Sequence, residues 1–330
     1  MATHHLDDKQ PHAFWDNSYP PRIRIKPGDK VIFETLEASA NQITPSSRAE
    51  AVQNLSFDPI HPLTGPVYVQ GAEPGDGLEV EIVSIKHKGW GWNAVIANFG
   101  LLGEDFPTPY LHHYKLGRTH CYFREDILIP YEPFCGVMGV APRENGRFDT
   151  IPPRENGGNI DIRHLTPGTK AVFPVLVPGA LFSCGDCHSA QGDGEVNGTG
   201  IETPMTVTLR FNLIKGANIP ELQFTTPARK KLTVTDREGY FVTTAHGPDL
   251  FKNAQNAVRY MINHLTDTYD MTREQAYCLC GAAVDLKISE IVDAPNFIVS
   301  AYLPLSLFVR PKAKARSTRN TKAKSKKKRS

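Results

Sequence analysis

Four acids, one histidine, two cysteines and five glycines fall within the nineteen residues CGDCHSAQGDGEVNGTGIE, positions 184–202. Asp186 and His188 are two apart, so an extended strand turns both to one side, where a carboxylate oxygen and an imidazole nitrogen can share a metal ion. Asp193 and Glu195 repeat that spacing. Glu202 follows Gly198-Thr199-Gly200, whose glycines let backbone come close to a ligand. A bare Asp-x-His is common as a hydrogen-bonded surface pair. The concentration is what carries weight, because crowding buried acids together is costly unless a cation or shared protons compensate. A metal centre with proton-transfer groups beside it is the expectation.

The cysteines of the same stretch offer competing chemistry. Cys184-Gly-Asp-Cys187 has the spacing of a redox pair or half a zinc knuckle, but the residues after it are too glycine-rich for the helix of a thioredoxin-like site. A four-cysteine zinc site needs a second pair of that spacing. Cys278 and Cys280 fall instead in a helical pattern, where positions two apart diverge. Cys187 beside His188 could form a thiol–imidazole nucleophile, yet neighbouring side chains on a strand point apart.

The elements that must position these groups are mostly strands. Pro-Gly turns precede alternating apolar runs in KPGDKVIFETLE (26–37), EPGDGLEVEIVSI (73–85) and TPGTKAVFPVLV (166–177), which predicts strand entrances with Asp29 and Asp76 as turn residues. Further strands are expected at 22–25, 67–70, 127–130, 205–214 and 296–302, and the first 230 residues read as all-β. From residue 249 the period changes. Leu250, Phe251, Ala254, Ala257, Val258, Met261, Ile262 and Leu265 mark one helix face over 249–265, with Asp249 as cap. A second helix is expected over about 273–284, with Thr272 and Gln275 as a capping box. The fold class is therefore mainly β, a sandwich- or barrel-like body with a late α-helical hairpin, α+β overall. A single domain over 1–310 is expected, since no linker divides it.

Composition sets the frame. The 330 residues are 40% apolar, enough for a sizeable core, and the start has neither the basic nor the apolar run of a signal peptide. No stretch approaches the apolar length of a membrane span, so no membrane insertion and a cytoplasmic location are expected. Six cysteines in so long a chain read as reduced thiols. The formal charge of +2 hides an asymmetry, because the last twenty residues hold ten Lys or Arg and no acid, leaving −8 on residues 1–310. Residues 311–330 have no apolar face and read as a disordered basic tail, either merely solvated or in contact with an acidic partner.

The segments HPLTGPVYVQGAEPGD (61–76), GWGW (89–92), PFCGVMGVAP (133–142), PPRENGGNIDIRHL (152–165), PGALFSCGDCHSAQGDGEVNGTGIE (178–202) and AYCLCGAAVDLKISEIVDAPN (276–296), in this order, resemble the acetamidase/formamidase family. The resemblance runs from about residue 12 to 310. It implies hydrolysis of a short-chain amide to carboxylate and ammonia by a homo-oligomer that depends on a divalent metal, usually zinc. Asp and His ligands also suit iron or manganese. Urea, a guanidine or a longer amide are alternative substrates, and a metal-binding scaffold without turnover is the alternative from another class. The family favours a small residue at Cys187 and Ala at Gly200, changes that look conservative in size.

Two matched segments add candidates. In GGNIDIRHL, Asn159 and Asp161 are two apart and are expected on one face of a strand, with Asp161 as a third metal ligand. His61 precedes a Thr-Gly-Pro turn that could deliver it into a cleft. His112-His113 would face opposite ways and His4-His5 would lie in a mobile terminus, so both pairs are set aside. Trp90 and Trp92 are expected in packing or as a pocket wall. The site read from sequence is thus His61, Asp161, Asp186 and His188 for the metal, with Glu195 or Glu202 taking and returning the proton as water attacks the amide carbon.

Overall fold

The computed structural model describes residues 1–227, 237–292 and 294–309, and the basic segment 311–330 lies outside them. Strands Lys30–Glu34, Gly77–His87 and Lys170–Pro174 each follow one of the Pro-Gly turns. Asp29 and Asp76 serve those turns. The Asp29 carboxylate accepts the N–H groups of Ala2 and Lys26, and that of Asp76 accepts from Glu73 and Gly216.

Two sheets share one apolar layer. The first runs Thr3–Leu6, Lys30–Glu34, Met205–Ile214, Gly77–His87, Lys170–Pro174, Gln223–Thr225, and the second Gly157–Asn159, Phe134–Gly139, Phe182–His188, Thr64–Val69, Ile23–Ile25. Between them Phe33, Phe173, Phe182 and Phe211 meet tilted or edge-on, with ring centroids 5.2 to 6.2 Å apart. Alternation along Gly77–His87 buries Leu78, Val80 and Ile82 and leaves Glu81 to pair with Arg210 across the ladder, at 2.7 Å. The His4-His5 terminus corrects an expectation. It is a strand paired parallel with Lys30–Glu34, because its backbone completes the edge of the first sheet.

A second core joins the sheet Ile127–Pro130, His120–Arg124, Tyr110–Leu116, Trp90–Val95 to two helices and the sheet Tyr240–Gly247, Phe297–Pro304, Asp285–Glu290. Helix Leu250–Tyr269 starts at Asp249, whose side chain accepts the Lys252 N–H, and buries Ala257, Val258, Met261, Ile262 and Leu265, whereas Phe251, expected on that face, sits in the first turn and is 62% exposed. It continues four residues past the expected end and stops where Asp270 turns left-handed, with φ +52°. Helix Arg273–Ala283 has the reciprocal Thr272–Gln275 capping box, and every residue from Ala276 to Ala283 is buried. Such all-round burial marks a helix enclosed by other elements rather than one lying on the surface. Within the first 230 residues, the short helices Ala49–Gln53 and Gly103–Asp105 interrupt the all-β reading. Among the described residues no helix is long and apolar enough to cross a membrane.

Candidate active site

Strand Phe182–His188 is central in its sheet and buried throughout. It does not alternate regularly, because Asp186 adopts φ +48° and forms no ladder pair with Gly136 opposite. One consequence is that Cys184 and Cys187, three apart, both enter the apolar core. The other is that Asp186 and His188 come together, with Asp186 Oδ1 3.3 Å from His188 Nε2. The shared face expected for them is reached through a left-handed residue, not through simple pleating.

His188 is the hub. Its Nε2 lies 3.1 Å from Glu202 Oε2, and its Nδ1 lies 2.7 Å from Gln191 Oε1 and 3.8 Å from Asp161 Oδ1. His61 reaches in from another loop, with Nε2 3.7 Å from Asp186 Oδ2. Ligand atoms of His188, Glu195 and Glu202 all lie within 4.8 Å of one another, as do those of Asp161, Asp186 and His188. The structure therefore gathers all six sequence-read residues into one cluster. Asp193 is the acid of the stretch that it leaves out. Its backbone N–H bonds Asp285, which pairs with Arg163, so it belongs to a separate network.

Local backbone explains how short segments aim so many groups inward. Asp161, Asp186 and Glu195 have φ of +44°, +48° and +44°, a conformation unusual for residues other than glycine and one that concentrates at functional sites. Asp161 corrects an expectation, because the strand ends at Asn159 and the left-handed residue, not the strand, turns the carboxylate toward His188. The glycine-rich loop is held from behind by helix Arg273–Ala283. Tyr277 donates its hydroxyl hydrogen to the Val196 carbonyl and accepts the Leu102 N–H. Asn197 donates to Ala94 O and to Asn93 Oδ1, tying the loop to strand Trp90–Val95.

Two residues that sequence reasoning passed over complete the site. Gln191 Oε1 accepts from His188 Nδ1 at 2.7 Å and Gln191 Nε2 donates to the Asp161 carbonyl at 2.9 Å, which fixes the imidazole orientation. Gly136 has no room for a side chain. A Cβ there would lie 2.5 Å from Asp161 Oδ1 and 2.7 Å from Asp186 Oδ2. A glycine in mid-strand is itself a sign of close approach, and PFCGVMG carried that sign. Gly200 is a correction: a Cβ there would meet His188 Nδ1 at 2.5 Å, so Ala is not a neutral change in this chain.

The cysteine alternatives fare differently. The Cys187 thiol faces the core, 3.5 Å from Cys135 Sγ and 3.5 Å from the Thr35 hydroxyl. The Cys135 contact and burial push its titration well above the ordinary thiol value, the reverse of an activated nucleophile. All six cysteines are free and buried.

Burial and mutual repulsion set the charges of the cluster. Burial pushes Asp161 up to about 7 and Glu202 up to about 8, against the pull of the His188 charge. Glu195 is raised well above the usual carboxyl range, by burial and then by Asp161. Asp186 goes the other way: burial raises it, but the His61 and His188 rings and the hydrogen bond to His188 together outweigh that. His188 is held charged against burial by Glu202 and Asp186, whereas burial drives His61 toward its neutral form. No Lys or Arg ion pair reaches Asp161, Asp186, Glu195 or Glu202 among the described residues. In addition, His61 Nδ1 and Asp161 Oδ1 are buried with no hydrogen-bond partner. Oxygen and imidazole donors that converge, with more carboxylates than the histidines can offset and no Lys or Arg among them, fit a divalent ion.

Four members of the cluster form the polar end of a cavity of about 100 Å³. His61, Asn159, Asp186, Glu195 and Glu202 line that end, and Leu55, Ile60, Trp92, Ile96 and Ile151 line the rest. Phe57 and Phe99, 42% and 37% exposed, face each other at the mouth with ring centroids 6.0 Å apart. The Trp92 wall is fixed by its indole N–H, which donates to buried Glu37 at 2.8 Å.

A mainly β body with a carboxylate–histidine cluster at the end of a small apolar pocket defines a hydrolase-type site for a compact, largely neutral substrate. The family model of the acetamidase/formamidase family matches residues 2–148 and 143–310. A formamidase of Methylophilus methylotrophus is 30% identical, with 93% of this chain and 92% of the relative covered. An acetamidase of Mycolicibacterium smegmatis is also 30% identical, over 62% of this chain and 66% of the relative. Among solved structures, a gamma lactamase from Delftia acidovorans superposes with a TM-score of 0.86 at 26% identity, covering 95% of both chains. An acetamidase from Bacillus halodurans does so with a TM-score of 0.65 at 32% identity, covering 91% of this chain and 97% of that one. The chain belongs to the acetamidase/formamidase family, and it is an amide hydrolase of that class.

Proposed function

We propose that the protein hydrolyses a small, uncharged amide such as formamide or acetamide, in a metal-dependent reaction at the His188 cluster. The observation that carries this reading is a cluster of six side chains, four of which (His61, Asp186, Glu195 and Glu202) line a cavity of about 100 Å³, a space for a ligand of a few heavy atoms. Asp161, Asp186 and His188, with His61 beside them, are the residues that would hold a divalent ion, most simply zinc. When bound, that ion supplies Lewis acidity to the amide carbonyl and to water.

Glu202 is placed for the proton work. Its Oε1 is held by the Gly200 N–H at 2.8 Å, while Oε2 faces His188. A carboxyl that titrates near neutrality can take a proton from attacking water and return it to nitrogen, so that ammonia leaves and the acyl carbon keeps the new oxygen. Glu195 lies close enough to share that role.

A second reading concerns the substrate, not the reaction. The close superposition on a gamma lactamase, together with the isoleucine-rich wall, supports a five-membered cyclic amide as an alternative to a linear one. The deciding assay measures ammonia from formamide, acetamide, propionamide and urea, and ring opening of 2-pyrrolidinone, before and after chelation and zinc return. Loss and recovery on one of these supports the proposal and names the substrate. Full activity after complete chelation refutes metal dependence, and binding of zinc without any turnover supports a scaffold instead. A cytoplasmic homo-oligomer is proposed alongside; the six free thiols support a reducing compartment.

A further inference from the structure

We propose that Asn159 recognises the N–H side of the scissile amide, a role that rests on the amide-hydrolase reading of this pocket. Asn159 ends strand Gly157–Asn159, where it pairs with Val137. The two preceding glycines have φ of +94° and +87°, so the chain bends tightly just before it and delivers the side chain to the polar end of the cavity. There its Oδ1 is buried with no hydrogen-bond partner. A buried amide oxygen without a partner destabilises a fold, and native proteins keep such an atom where water, an ion or a ligand fills it or where it serves function.

The other polar side chains of the wall have other partners or fall to the ion and proton chemistry. The Ser39 hydroxyl donates to Glu37, and that of Thr199 to the Ala94 carbonyl. Asp186, Glu195 and Glu202 belong to the ion and proton chemistry, and His61 sits against Asp186. Asn159 Oδ1 is thus a neutral acceptor on the wall without a partner among the described residues, and it is the one outside the proposed ion site, to which the unpartnered ring of His61 belongs. It keeps that character at every pH, which a carboxyl near neutrality does not. An amide nitrogen presents N–H donors, an ester oxygen none, so an acceptor at this position distinguishes the two. With the N–H directed to Asn159, the carbonyl is left to the His188 cluster and the acyl group to the apolar wall. One bound orientation then places all three parts of the substrate.

The test uses matched ligands on the whole, metal-loaded protein: acetamide with methyl acetate, and 2-pyrrolidinone with γ-butyrolactone. Binding by calorimetry and turnover are measured separately for wild type and Asn159→Ala, with melting curves to confirm folding. Amide binding should fall about tenfold to a hundredfold in the variant while ester binding changes less than about twofold. Equal losses for amide and ester, or no loss for either, overturn the proposal. The wild-type comparison stands even if the variant does not fold: wild type that binds ester as tightly as amide, or binds no amide, overturns it as well. Selective amide binding without hydrolysis leaves Asn159 in its role and refutes the hydrolase reading alone.

Discussion

Replacing Gly136 by Ala tests whether the carboxylates are held by shape. The new Cβ would lie 2.5 Å from Asp161 Oδ1, 2.7 Å from Asp186 Oδ2 and 2.9 Å from the Asp186 carbonyl, where ordinary contact begins near 3.4 Å. The two carboxylate oxygens must therefore retreat by about 0.9 and 0.7 Å. Neither can do so by a free rotation, because both are buried and each residue sits in a left-handed conformation that the neighbouring strands hold. Displacements near 1 Å cost an active site on the order of a hundredfold, or about 2.7 kcal/mol of barrier. Gly139→Ala is the control. It crowds the same strand to a similar degree, against Asn156 and Trp15, but touches none of the six clustered side chains. The assay is kcat/KM on the preferred amide, with zinc affinity and melting temperature measured on the same samples. Gly136→Ala should lose about a hundredfold in kcat/KM and bind zinc more weakly, whereas Gly139→Ala should lose stability with its folded fraction still active. Full activity in folded Gly136→Ala, or equal losses in both variants, would refute the argument from excluded volume.

Gln191→Leu keeps volume but removes the partner of His188 Nδ1, and should lower kcat about tenfold or more with little change in melting temperature, as loss of an orienting hydrogen bond does. Thr272→Ala breaks the capping box of an enclosed helix and should lower unfolding free energy by about 1 kcal/mol in urea titrations while leaving kcat unchanged. Burial lowers His112 to about 4, so the folded state holds it neutral while the unfolded chain takes up a proton near 6.5. Its contribution is complete above about pH 6.5 and is lost as pH falls toward 4, up to ~3 kcal/mol. Urea midpoints at pH 7.5 and 4.5 should differ less in His112→Gln than in wild type; an unchanged difference would contradict this.

Much of the fold was legible because it depends on local signals. Pro-Gly followed by an alternating run specifies a turn and a strand wherever the chain goes next, and Thr272-x-x-Gln275 closes its capping box within one helical turn. What the sequence did not give is the pairing of distant edges. Nothing within MATHHL marks it as a partner for Lys30–Glu34, so its order becomes visible only with the sheet assembled. The residue types of the site were legible for a related reason: His, Asp and Glu concentrated in one short segment are costly without a shared purpose.

The route by which they meet was not legible, and the difference is physical. Two-residue spacing correctly put Asp186 beside His188, but for a reason the spacing does not contain, since Asp186 breaks the pleat that the spacing assumes. The same spacing failed for Asp193, whose neighbour Glu195 turns left-handed and enters the cluster alone. Chemical type shows what a residue can do, whereas left-handed backbone and missing side chains decide where it does it. Gly136 and Gly200 contribute no functional group, yet each marks space that a carboxylate or an imidazole occupies. A cluster of six side chains drawn from one strand and several loops approaches this closely where the neighbouring backbone withholds a Cβ. The emptiest positions of the sequence therefore bear on the chemistry as directly as the charged ones.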